Sequence, residues 1–124
     1  MGKFIEECKR TECQYGEVKT RIDPRIVHAS FGLQTEVGEL IDAFKKSWFY
    51  GQPLDSVNVR EEIGDVLYYL AILCDEMDTD FETEMTRVTN KLKSRYPEKF
   101  TIRNAIDRDL AKERAILNER NQDI

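Results

Sequence analysis

From residue 26 to residue 77, apolar residues recur at spacings of three and four. Leu33, Val37, Leu40, Ile41, Phe44 and Trp48 keep this rhythm. After a short interruption so do Val59, Ile63, Val66, Leu67, Leu70, Leu73, Cys74 and Met77. The period is that of an α-helix, whose residues advance about 100° each; a strand would alternate every second residue. The interruption, "YGQPLD", carries Gly51 and Pro53 and reads as a loop. Two long helices joined by so short a loop run antiparallel. The apolar stripes are expected to form a core between them.

The remaining segments extend the same pattern. "KFIEECKRTECQYGEVKTR" reads as a first helix, weakened in its second half by Gly16. Asp23 is the expected N-cap of the second helix, with Pro24 in its first turn. Asp55 or Ser56 can cap the third. Thr79 or Asp80 can cap a fourth that runs through Phe81, Met85, Val88 and Leu92 to Arg95, with Pro97 as its stop. "TIRNAIDRDLAKERAILNER" reads as one polar helix over about 102–121, with a thin stripe of Ile106, Leu110 and Leu117. No strand pattern of useful length is present. The expectation is an all-α chain, a bundle of four to five helices in one domain over 1–124. At 124 residues it is short enough for self-association to help complete its core.

One phrase is written twice. "EVGEL" opens at Glu36 and "EIGDV" at Glu62, each placing a glycine between two acids. A glycine inside a helix costs roughly 1 kcal/mol relative to alanine. On a helical wheel Glu36 and Glu39 share one shoulder of the second helix's stripe, with Lys46 on the same side. Glu62 and Asp65 share an edge of the third helix's stripe, with Asn58 a turn before and Tyr69 a turn after. Antiparallel packing can bring the shoulders together. Four carboxylates would then repel strongly in a half-buried place unless a divalent cation joined them. Either pair alone is the ordinary solvated edge of a helix; two pairs on neighbouring helices point to one or two Mg2+ ions, with Mn2+ as a substitute. The glycines between the acids admit two readings, close backbone approach or clearance for a ligand.

Composition limits the alternatives. Cys8, Cys13 and Cys74 are an odd number with no C-x-x-C, which argues against a disulfide framework or a zinc site, and the lone His28 excludes a histidine-based metal centre. The cysteines are expected at buried apolar positions in a reducing, cytoplasmic setting. No apolar run approaches the roughly 20 residues of a membrane span, and the N-terminus lacks a signal-peptide core. A net charge of −5 disfavours nucleic acid. The charge is also uneven: residues 55–86 hold ten acids and one base, residues 87–120 ten bases and five acids. In the basic segment Lys91 and Arg95 share a helix face. Beside a metal they could hold a polyphosphate; alone they would only suit the helix dipole.

"GLQTEVGEL", "EEIGDVLYYLA" and "KLKSRYPEKF" resemble the MazG-like all-α nucleoside triphosphate pyrophosphohydrolases over roughly residues 28–100. The pattern is E-x-x-E, a spacer, then E-x-x-D, here Glu36, Glu39, Glu62 and Asp65. The resemblance implies Mg2+-dependent hydrolysis of a nucleoside or deoxynucleoside triphosphate between its α and β phosphates. It also implies that the four acids hold the metal, that Lys91 and Arg95 contact phosphate, and that the bundle is completed in a homodimer or homotetramer. The chain departs from it in two places. Several relatives carry an acid just before the first motif, where Thr35 stands, so the proton acceptor becomes one of the four acids, Glu61 or a metal-activated hydroxide. Some carry a lysine a turn earlier, where Gly32 stands; Lys46 can serve instead. His28, Gln34, Trp48, Tyr50 and Asn58 are candidates for base recognition, though Trp48 also fits the core stripe and His28 an ordinary surface position. Alternative substrates are dUTP or dCTP, or phosphoribosyl-ATP. A reading of another class is a helical nucleotide-binding or assembly module without turnover.

Overall fold

The computed structural model describes residues 2–14, 16 and 22–119. Among them are six helices and no strand: α1 (Gly2–Thr11), α2 (Pro24–Tyr50), α3 (Ser56–Glu76), α4 (Phe81–Arg95), α5 (Ile102–Ile106) and α6 (Leu110–Asn118). The expected first helix ends at Thr11, and part of the segment assigned to it, residues 15 and 17–21, lies outside the described residues.

The boundaries follow local chemistry. Asp23 accepts from the Arg25 amide at 2.7 Å, with Pro24 in the first turn of α2. Asp55 accepts from the Val57 and Asn58 amides at the start of α3, and Asp80 from that of Thr83 at the start of α4. These bonds satisfy amides that have no partner inside the helix. Gly51 ends α2 in the left-handed region, at φ 66°.

The single polar helix expected after Pro97 is two helices. Thr101 caps α5 through Asn104, and Asp109 caps α6 through Lys112. Asp109 offers its carboxylate to an amide three residues on, which competes with continuing the helix. Ile106 and Leu110, assigned to a stripe, are 75% and 63% exposed.

Two helix contacts dominate: α2 along α3, and α4 against α6. The α2–α3 hairpin is antiparallel and in a defined register. At one end Arg25 pairs with Asp75 and Glu76, at 2.7 and 2.9 Å. Further along, Gly32 meets Tyr69, Glu36 meets Asp65 and Glu62, and Ala43 shares a cleft with Asn58. The buried residues of α2 are Ala29, Gly32 and Ala43, so the helices meet along a seam of small residues.

That seam revises the expected core. At about 100° per residue the stripe of each helix falls beside the seam, and both stripes fall on the same side of the hairpin. The opposite side carries the acids. Ala29 and Ala43 are the buried apolar residues, whereas Phe44, Ile63 and Leu67 are about half exposed and Trp48 is 84% exposed. Cys8 and Cys13 are likewise exposed rather than buried, and Cys74 is half-buried.

Candidate metal centre

The seam draws the acids together. One carboxylate oxygen from each of Glu36, Glu62 and Asp65 lies within 4.8 Å of the others. Glu62 is buried, at 4% exposure, and its Oε2 has no hydrogen-bond partner. Burial raises the Glu62 pKa above the ordinary value, and the charges of Glu39, Glu36, Asp65 and Glu61 push it further. A buried carboxyl with an unmet oxygen beside four other acids is costly without a cation. An octahedral Mg2+ takes oxygens at about 2.1 Å, so neighbouring ligands stand roughly 3 Å apart and opposite ones roughly 4.2 Å. The three oxygens converge on a region of the size one such ion spans, and the all-carboxylate donor set suits a hard divalent ion.

Glu39 is not one of the three converging acids. It lies a turn further along α2 and lines a cleft of about 450 Å³ with Thr35, Gly38, Asp42, Lys46, Asn58 and Glu62. A second cleft of about 250 Å³ continues it, sharing Lys46 and Asn58 and adding Ala43, Gln52, Pro53 and Asp55. A groove therefore runs from the acids to the α2–α3 loop. Lys46 stands 2.7 Å from Asp42, which raises the lysine's pKa and is itself lowered by it. The Thr35 hydroxyl donates to the Gly32 carbonyl at 2.8 Å, a bond back into its own helix.

The chain belongs to the MazG nucleotide pyrophosphohydrolase domain family, whose model matches residues 30–100. No curated protein and no solved structure matches the chain. Membership in the MazG family supports nucleotide pyrophosphohydrolase chemistry in general, and both acid pairs fall inside the matched span. No helix among the described residues is long and apolar enough to cross a membrane.

The other site candidates are dispersed. Asn58 and Lys46 are in the groove, and Glu61 is exposed beside Glu62. His28 meets Tyr69 edge-on, with ring centroids 6.1 Å apart, near the far end of the seam. Gln34, Trp48 and Tyr50 are exposed. Lys91 and Arg95 lie on α4, whose extensive contact is with α6 rather than with the acid-bearing hairpin. Arg95 donates from Nε and Nη2 to the two oxygens of Glu113, at 2.8 Å each, and Arg108 donates to the same carboxylate. Glu113 is 5% exposed, and the two guanidinium groups hold its pKa at about 2. The sequence does not announce this clasp, because Arg95 is 18 residues from Glu113 and a single continuous helix gives Arg108, five residues before it, no reason to turn back. Tyr69 at Gly32 was also missed. Its one sequence signal is the small residues Ala29 and Gly32, three apart on one helix face and leading into Glu36.

Proposed function

We propose that the chain hydrolyses nucleoside or deoxynucleoside triphosphates to the monophosphate and pyrophosphate, in a Mg2+-dependent reaction. The observation that carries this reading is the meeting of Glu36, Glu62 and Asp65, with the buried Glu62 oxygen unpartnered, inside the span matched to the MazG family. These three acids hold the metal. Bound there, Mg2+ supplies neutralising charge for the phosphates and acidifies water. Glu39, on the cleft wall beside them, completes the site as a fourth ligand or as the proton acceptor in place of the acid that Thr35 replaces. Lys46 and Asn58 line the path for the phosphates and the sugar. Lys91 and Arg95 add phosphate contacts. Glu113 occupies the Nε and Nη2 edge of Arg95.

We place the active form as a homodimer or homotetramer. The apolar stripes of α2 and α3 share one side of the hairpin, and a second hairpin laid on that side would bury both. The opposite, acidic side stays open to substrate.

The test is incubation of the purified protein with each common NTP and dNTP, with dUTP and dCTP included, and with phosphoribosyl-ATP, in the presence of Mg2+. Monophosphate and pyrophosphate are expected from at least one substrate. Asp65→Ala is expected to lower turnover by more than about 100-fold while helical content by circular dichroism is unchanged. Nucleotide uptake in calorimetry with no pyrophosphate released would instead make the chain a binding module.

A further inference from the structure

Gly32 and Tyr69 form the rung of the α2–α3 seam next to the acid cluster. Gly32 is one turn before Glu36 on α2, and Tyr69 one turn after Asp65 on α3. Gly32 is buried, and the Tyr69 ring fills the space into which a Cβ at that position would project. A Cβ at position 32 would overlap the ring atoms Cε1 and Cζ and stand 2.7 Å from Cδ1. Nothing comparable occurs at Gly38 or Gly64, the glycines between the paired acids, where a Cβ would meet open space. The ring is also braced from its sides. His28 meets it edge-on at 6.1 Å and Tyr68 at 5.1 Å. An added Cβ at position 32 must therefore either push the ring out of the seam or part the two helix backbones, and either change removes the contact that the wild type keeps.

We infer that the Gly32–Tyr69 contact is the spacer that sets how closely the two acid-bearing helices approach, and hence whether Glu36 can share an ion with Glu62 and Asp65. The inference rests on the metal reading above. Carboxylates on facing helices can join one cation only within a narrow range of interhelical distance. Mg2+ tolerates little departure from ideal geometry. Interaxial distances are set by the side chains at the crossing, and here one side of the crossing is a glycine. Gly32 and Tyr69 touch no ion themselves; they are positioning residues. The glycine at a position where some relatives carry a lysine thus has a task of its own. Having no Cβ, it lets the helices come as close as the acid cluster needs with the ring in place.

The test is Mn2+ titration by calorimetry of the full chain, without nucleotide, for the wild type, Gly32→Ala, Tyr69→Phe and the double variant Gly32→Ala/Tyr69→Ala. Gly32→Ala is expected to weaken Mn2+ binding at least tenfold with helical content unchanged. Tyr69→Phe keeps the ring and is expected to bind within twofold of wild type. Removing the ring relieves the overlap, so the double variant is expected to recover to within about threefold of wild type. A Gly32→Ala protein that binds Mn2+ like wild type overturns the spacer, as does a double variant no tighter than the single. Should Gly32→Ala alone fail to fold, the double variant decides: folding with near wild-type binding supports the spacer, and failure of either refutes it. A wild type that takes up no Mn2+ sinks the metal reading and the spacer together, which separates that failure from failure of the spacer alone.

Discussion

Glu62 holds the least favourable position of any acid in the cluster, and its titration should show it. Its carboxyl is buried, unpartnered at Oε2 and surrounded by four other acids, so its pKa in the folded, metal-free protein is above the ordinary 4.5. The fold therefore binds this proton more tightly than the unfolded chain does. The contribution of Glu62 to metal-free stability is then fully present below the ordinary glutamate value and is lost as pH rises through the raised one. Glu62→Gln keeps the shape and removes the charge. In EDTA at neutral pH its Tm should exceed that of wild type, and the gap should close as pH falls toward 4.5. The same variant should lose the Tm rise that Mg2+ gives the wild type. A wild type that outlasts Glu62→Gln in EDTA at neutral pH would show that the acid is not strained. Glu39 should behave differently if it accepts a proton rather than binding metal. Glu39→Gln would then lose more than about 100-fold in kcat, a loss at the lower end of what removing a general base costs, while Mn2+ affinity measured by calorimetry holds. Loss of both in parallel would make it a fourth ligand.

Among the elements, α6 depends most on one ion cluster. Glu113 is gripped by Arg95 and Arg108, which hold its pKa at about 2. A lowered folded pKa contributes stability that is fully present above the ordinary carboxyl value and is lost as pH falls toward the folded one. Glu113→Gln should therefore melt below wild type at neutral pH, and the difference should vanish as pH is lowered from 4.5 toward about 2. Circular dichroism melts of both proteins across that range check it, and a gap independent of pH would assign the loss to packing instead. The clasp also shows which elements a sequence can announce. The caps of α2, α3 and α4 were readable because a cap is a local bond over two or three residues, as at Asp23, Asp55 and Asp80. The acid pairs were readable for the same reason, since three residues apart on a helix means side by side. The start of α6 rests on a local cap too, Asp109 to the Lys112 amide, but Asp109 sits inside a continuous polar stretch that reads as one helix. The grip of Arg95 on Glu113 depends on the α4–α6 contact, which no periodicity encodes. The apolar stripes were readable as helices but not as to what they face. The seam is made by Ala29, Gly32 and Ala43, residues too small to register in a hydrophobic pattern.

At the scale of the whole molecule the outstanding fact is uncovered apolar surface. Phe44, Ile63 and Leu67 flank the seam about half exposed, Ile41 is 60% exposed, and Met85, Val88 and Leu92 along α4 are 40–59% exposed. Burial of such side chains contributes roughly 1.5–3 kcal/mol each, and domains of this size have only about 5–15 kcal/mol of net stability. A chain that leaves this much unburied gives up a large part of what would hold it folded. A second copy on the apolar side of the hairpin answers this without blocking the acids on the other side. Light scattering at micromolar concentration should therefore return a mass of two or four chains. Phe44→Glu places a charge in that contact while leaving the acid groove untouched. It should lower the measured mass toward one chain and lower the Tm, with the loss steeper on dilution, because folding and association are then linked through protomer concentration. A wild type that runs as a stable monomer at that concentration, with a cooperative melt independent of dilution, would mean that the exposed stripes are covered from within the chain.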